Sequence, residues 1–252
     1  MQTFFVRSQK SITFVSKTNG MSNKERLIGA LKSELYEGRS AFDWLFLATG
    51  LAVQLVVFFI HGDGYLSLVS GITGIFSVIL CSQGKISTFF FGFIQIITYL
   101  ILVLGQNLYA EVGLNIFYLL SQFYGIYAWR KRYKISEDTT ADSGLVTRRL
   151  STLHFALIVA AVIMISWLLG YLLRLFTNDT QPYLDSFTTI PAIAAQILMV
   201  TAHREQWFLW LSIDVLCVIL WIRAGDWCLA AQYCFWCANC IYGLRKWNKR
   251  SV

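Results

Sequence analysis

The sequence predicts an all-α polytopic membrane protein of eight transmembrane helices, built as a parallel 3+1+3 repeat with one extra helix in front. Three observations predict it. Of the 252 residues 56% are apolar or aromatic and only 14% charged, whereas a soluble domain carries about 25% charged residues. Apolar runs long enough to span a bilayer, at ~20 residues each, recur between short polar breaks. Finally, the second half of the chain repeats the first at a fixed offset.

Residues 1–40 form a basic N-terminal tail. Its first 24 residues contain Arg7, Lys10, Lys17 and Lys24, no acidic residue and no apolar stretch that could serve as a signal-peptide core; Met21 opens a more ordinary N-terminus. The extra helix occupies 41–60. His61-Gly62-Asp63-Gly64 breaks it from a first three-helix bundle at 65–129, with spans at 65–82, 87–105 and 108–129 separated at Gly84-Lys85 and Gly105-Gln106-Asn107. Residues 130–149 read as a cytoplasmic loop. A linker helix follows at 150–176. Asn178-Asp179-Thr180-Gln181-Pro182 then leads to a second bundle at 184–244, with spans at 184–201, 206–223 and 227–244 and a short tail at 245–252.

Basic residues test this count, since a wrong number of spans would scatter them over both faces. With the N-terminus cytoplasmic, all of the 21 Lys and Arg except Arg174 and Arg223 fall on the cytoplasmic side. The net charge of +7 therefore records insertion topology, not affinity for nucleic acid, and places both termini inside the cell.

The repeat is a gapless match of 65–132 over 183–250, an offset of 118. Identities include Tyr65/Tyr183, Ile75/Ile193, Phe90/Phe208, Phe117/Phe235, Tyr124/Tyr242, Gly125/Gly243, Trp129/Trp247 and Lys131-Arg132/Lys249-Arg250. Three spans per copy would invert the second copy, and the linker helix restores its orientation. Parallel repeats are a transporter architecture in which substrate sits near the midplane between the bundles.

Polar residues recur at helical spacing inside the spans. Glu111, Asn115, Tyr118, Gln122, Gly125 and Trp129 share one face of the fourth, and Gln232, Trp236, Asn239 and Gly243, with Tyr233 and Tyr242 alongside, share one of the eighth. Trp207, Trp210, Asp214, Cys217 and Trp221 line the seventh; Asp185, Thr189 and Gln196 the sixth; Phe91, Gln95 and Thr98 the third. Packing between helices accounts for many such stripes, whereas an intramembrane carboxylate such as Asp214 points to function. Amides give donors and acceptors and aromatics give flat faces, a combination suited to a ligand with a sugar and a ring. Absence of mid-membrane basic residues argues against an anionic substrate. The expected substrate contacts are Gln122, Asn239, Gln196, Asp214, Trp207, Trp210, Tyr118, Asn115, Gln232, Trp236, Gln95 and Tyr242. Pro191 interrupts the sixth span, and its counterpart lies between Gly71 and Gly74, so these three are the expected hinges.

Other chemistries lack support. Cys234, Cys237 and Cys240 have ligand-like spacing, but no fourth cysteine follows, and all six cysteines lie in apolar stretches. No metal, cofactor, catalytic pair or Walker motif is expected, and without a lysine in any span there is no retinal Schiff base.

The segments Leu108-Tyr109-Ala110-Glu111-Val112-Gly113-Leu114, Gln122-Phe123-Tyr124-Gly125-Ile126-Tyr127-Ala128-Trp129, Trp207-Phe208-Leu209-Trp210 with Ile213-Asp214-Val215, Gln232-Tyr233 with Asn239, and Asp185-Ser186 resemble the PnuC nicotinamide riboside transporters. The resemblance runs from about residue 42 to 247. It implies a fold related to full-length SWEET sugar transporters and a vitamin precursor, nicotinamide riboside, bound between the bundles. It also implies facilitated diffusion made one-way by a cytoplasmic riboside kinase, an inner-membrane location and a homo-oligomer, with a trimer as the candidate. Relatives that carry thiamine make another vitamin precursor the alternative, and a membrane scaffold or receptor is the alternative from a different class.

Overall fold

The structure, a computed structural model, describes residues 36, 39–62, 64–105, 109–139, 145–177 and 180–251. Among these there are eight helices: α1 (Ala41–His61), α2 (Tyr65–Ser82), α3 (Thr88–Gly105), α4 (Tyr109–Thr139), α5 (Thr152–Phe176), α6 (Pro182–Val200), α7 (Gln206–Ala224) and α8 (Trp227–Asn248). All except α4 and α8 are long and apolar enough to cross a membrane. Those two fall short because they carry the polar stripes and run on into basic ends.

Contacts divide the chain into Met1–Trp44 and Leu45–Val252. In the first unit Ser40 and Asp43 cap the start of α1 reciprocally: Ser40 N donates to Asp43 Oδ2 at 2.9 Å and Asp43 N to Ser40 Oγ at 3.2 Å. The guanidinium of Arg39 lies 4.9 Å from the Trp44 ring. Apart from Tyr36, Arg39 and Ser40, the expected basic tail lies outside the described residues.

The expected loop at 130–149 is corrected at both ends. α4 continues to Thr139, because Arg130, Lys131 and Arg132 are good helix formers and neither glycine nor proline intervenes before Gly144. Leaving an apolar layer does not by itself end a helix. Residues 145–149 then form an ordered strap: Leu145 is 1% exposed, Thr147 N donates to Arg250 O at 3.1 Å, and Arg148 N to Ala202 O at 2.7 Å. Other ends move less. α5 starts after the cap Ser151, whose side chain accepts from His154 N, α6 starts on Pro182, and α8 extends to Asn248.

In the second unit α2 packs on α3 and α3 on α4; α6 packs on α7 and α7 on α8; α4 meets α6, α8 meets α2, and α5 lies on α6. Adding 118 to one set of these contacts generates the other. The correspondence reaches individual bonds. Trp129 Nε1 donates to Met199 O and Trp247 Nε1 to Cys81 O, both at 3.0 Å, and the two indoles meet with centroids 5.7 Å apart. Phe89 packs edge-on against Trp129 and Trp207 against Trp247. A Cβ on Gly125 would come within 2.4 Å of the Phe89 ring, and one on Gly243 within 2.5 Å of Trp207, so glycine is what lets each ring approach.

α2 and α6 stop in the same way. Gly84 N donates to Cys81 O and Lys85 N to Leu80 O, both at 2.9 Å; Ala202 N donates to Met199 O at 2.9 Å and His203 N to Leu198 O at 2.8 Å. These are paired Schellman caps with a left-handed residue at the stop. Gly84 has φ 66° and Ala202 φ 61°. For alanine this backbone costs about 1–2 kcal/mol, and the strap bond from Arg148 holds it in place.

α1 lies along α2 and α8. Phe46 stacks on Phe235 at 4.9 Å, and Gln232 Nε2 donates to Gln54 Oε1 at 2.8 Å. Gly71, an expected hinge, is where Gln54 comes closest: a Cβ there would lie 2.2 Å from its Nε2, while one on Gly74 would meet Gln95 at 3.3 Å. Pro191 is buried within a continuous α6.

Candidate functional site

A cavity of about 330 Å³ lies between α2, α3, α4 on one side and α6, α7, α8 on the other. Of the residues the sequence singles out, Gln95, Tyr118, Gln122, Gln196, Trp207, Trp210, Asp214, Trp236 and Asn239 line it. Helical periodicity brings them there. On α7, Gln206, Trp210 and Asp214 repeat every four residues with Trp207 and Ile213 beside them. On α4, Tyr118 and Gln122 are one turn apart, and on α8 Trp236, Asn239 and Cys240 cover one turn.

Three expected residues lie elsewhere. Asn115 is buried toward the other end of α4, and its Nδ2 donates to Glu111 O at 2.8 Å. Gln232 faces α1 and bonds Gln54. Tyr242 packs on Phe46 at 5.1 Å and receives a 3.5 Å bond from Gln83 Nε2. α1 occupies the side of its helix on which Gln232 and Tyr242 sit, whereas Asn115 bonds its own preceding turn.

The lining also holds polar residues outside the expected contacts: Tyr233 and Cys240, which the sequence places on or beside the eighth-span stripe, and Ser77, Thr88 and Gln206, which it does not single out. Gln206 is the most consequential, being fully buried with neither side-chain amide atom bonded to a protein group. The signal was present: it continues the Trp210 and Asp214 face by one turn. It was hidden because it abuts the charged break Arg204-Glu205.

Gln206 is not alone. Both amide atoms of Asn239, Oε1 of Gln122 and Nε1 of Trp207 are buried without a hydrogen-bond partner. Leaving such a group unpaired costs about 1–3 kcal/mol, and native proteins hold few of them, so their clustering around one cavity makes it the candidate site. Other lining groups are already engaged. Gln196 Nε2 donates to Ser121 Oγ at 2.7 Å, Ser77 Oγ to Thr88 O at 3.1 Å, and Cys240 Sγ to Asp214 Oδ2 at 3.3 Å. No Lys, Arg or His is among the described lining residues.

At the basic end of the bundle the paired indoles, the helix ends and the strap are tied together. Arg250 Nη1 donates to Gln83 O at 2.6 Å, Arg132 Nη1 to Val146 O at 2.8 Å, Thr147 Oγ1 to Trp247 O at 2.9 Å, and the Tyr133 hydroxyl to Gly84 O. At this end burial, together with the Arg148 and Arg132 charges, holds the His203 imidazole below its ordinary pKa, with Glu205 opposing them.

A family model described as nicotinamide mononucleotide transporter matches residues 64–249. The chain belongs to this family. It is 31% identical over 226 residues to a nicotinamide riboside transporter PnuC of Haemophilus influenzae, covering 88% of this chain and 96% of that one. With the protein of the same name from Neisseria mucosa it shares 32% identity over 257 residues, covering 99% of this chain and 95% of the relative. A crystal structure of the vitamin B3 transporter PnuC superimposes with a TM-score of 0.72 at 32% identity, covering 88% of this chain and 96% of that one. Membership of a transporter family, with its apolar helices, makes this chain a multi-pass membrane protein.

Proposed function

We propose that this protein carries nicotinamide riboside across the membrane through the cavity between its two helix triplets. The observation that carries this reading is the lining: the partnerless Oε1 of Gln122 and side-chain amides of Gln206 and Asn239 beside the aromatic residues Trp207, Trp210, Trp236 and Tyr118. Amides match the ribose hydroxyls and the carboxamide, and the aromatic faces match the ring. The cavity volume lies at the lower end of the ~300–1,000 Å³ typical of small-molecule sites. The family's description names the mononucleotide and the relatives' names the riboside. A lining without Lys, Arg or His favours the riboside, since a phosphate would lose its hydration with no cationic partner to replace it.

The architecture in this reading is the 3+1+3 parallel repeat, with all eight helices spanning and α1 added in front. Support comes from the contacts and hydrogen bonds that recur at an offset of 118. Transport then proceeds by alternating access, one triplet rocking against the other, with Pro191, Gly71 and Gly74 as the hinge candidates. Both termini lie on the cytoplasmic side of the inner membrane, where Lys and Arg concentrate. Movement is facilitated diffusion, made one-way by a cytoplasmic riboside kinase, and the unit is a homo-oligomer with a trimer as the candidate.

Calorimetry on the purified protein tests the substrate. Saturable binding of nicotinamide riboside with much weaker binding of the mononucleotide is expected. Binding of thiamine or a sugar but not the riboside would sink the assignment. Vesicles test the mechanism: uptake should only equilibrate without a gradient, and should accumulate label when a riboside kinase and ATP are trapped inside.

A further inference from the structure

We infer that Asp214 is the counter-ion for a positively charged ring in the cavity, and that it selects cationic ligands over uncharged ones of the same shape. This rests on the transport reading above and adds the charge class the site recognises.

Asp214 lines the cavity and is only 9% exposed. Its carboxylate receives a hydrogen bond from Cys240 Sγ at 3.3 Å, and a thiol is a weak, uncharged donor. No described lining residue is a Lys, Arg or His, and Asp214 is in neither of the ion pairs found among the described residues, His61–Asp226 and Arg204–Glu205. The titratable groups around it are Cys217, Cys237, Cys240 and Tyr233. All are acids, so none supplies positive charge. A buried carboxylate without a cation is unfavourable unless something else brings the charge. The frame does not require it, because at an offset of 118 the same position is Ile96, which lines the same cavity. Around it stand Trp207, Trp210 and Trp236, whose ring faces also attract a cation. Nicotinamide riboside carries its positive charge on the pyridinium ring, whereas its dihydro form keeps the ribose and carboxamide on an uncharged ring.

The test is calorimetric titration of the purified full chain in lipid nanodiscs with these two ribosides. Wild-type protein is expected to prefer the cation by roughly tenfold or more. Asp214→Asn, which keeps the shape, should reduce that preference by a similar factor while binding of the dihydro form is retained, and Asp214→Glu should restore part of it. A wild-type ratio near one overturns the inference without reference to any variant. So does a ratio that Asp214→Asn leaves unchanged, and in both cases the transport reading stands. Failure of wild-type protein to bind either riboside overturns that reading and this inference with it.

Discussion

Replacing Trp247 by Phe tests whether the indole pair holds the basic end of the bundle together. Trp247 is fully buried and donates its indole N–H to Cys81 O at 3.0 Å. Phe removes that donor, but the acceptor keeps the Gly84 N–H at 2.9 Å, so the lost bond sits near the lower end of the range, about 1 kcal/mol. The smaller ring leaves a void equivalent to one or two methylenes, worth ~1–2 kcal/mol. Together these destabilise by about 2–3 kcal/mol, a fall in melting temperature of roughly 5–10 °C for a chain of this length. Trp129→Phe should do the same, because Met199 O likewise keeps the Ala202 N–H at 2.9 Å. The rings touch at 5.7 Å, so the double variant should fall short of additivity by ~0.5–1.5 kcal/mol. Thermal unfolding in detergent, followed by circular dichroism, reads all three. If one single variant shows the full loss and the other none, the reasoning from paired environments is refuted.

Gln206→Leu should leave the melting temperature unchanged or raise it, because it removes two buried amide atoms that have no protein partner, yet it should weaken riboside binding; a loss of stability would assign Gln206 to packing. Gly71→Ala should destabilise by about 1–3 kcal/mol by driving Gln54 off Gln232, and unfolding measured in a Gln54→Ala background should show most of that loss gone. His203 is held below its ordinary pKa of 6.5, so as pH falls through about 6.5 the unfolded chain takes up this proton more readily than the folded state. Stability should therefore fall as pH drops from 7 to 5, and His203→Asn should flatten that slope in melting curves taken across the range.

The helices were legible wherever apolar runs end in Gly or charged residues, as in α2, α3 and α7, because those runs carry their own termination. The end of α4 was not. A membrane reading places a loop at the basic run Arg130–Arg132, whereas backbone propensity carries the helix on to Thr139. The strap could not be read locally, since Thr147 pairs with Arg250 and Arg148 with Ala202, far apart in sequence. At the site, helical spacing identified the cavity faces of α4, α7 and α8 but not how wide each face is. Gln232 and Trp236 are one turn apart, yet α1 claims the first and the cavity the second. Asn115 drops out because a side-chain amide on a helix can bond its own preceding turn, which spacing does not reveal.

The indoles, glycines and helix stops that hold the two triplets together occupy matching positions, whereas the cavity wall does not match. Across the offset, Ile96 corresponds to Asp214, Gln122 to Cys240, Tyr118 to Trp236, Val78 to Gln196 and Thr88 to Gln206, all in the lining. A container with true two-fold symmetry about the membrane normal would hold any guest in two equivalent poses, related by a half-turn about that axis. Here the packing positions match while the wall residues differ, so the proposed guest, with a charged ring at one end and a sugar at the other, would be held in one pose rather than two.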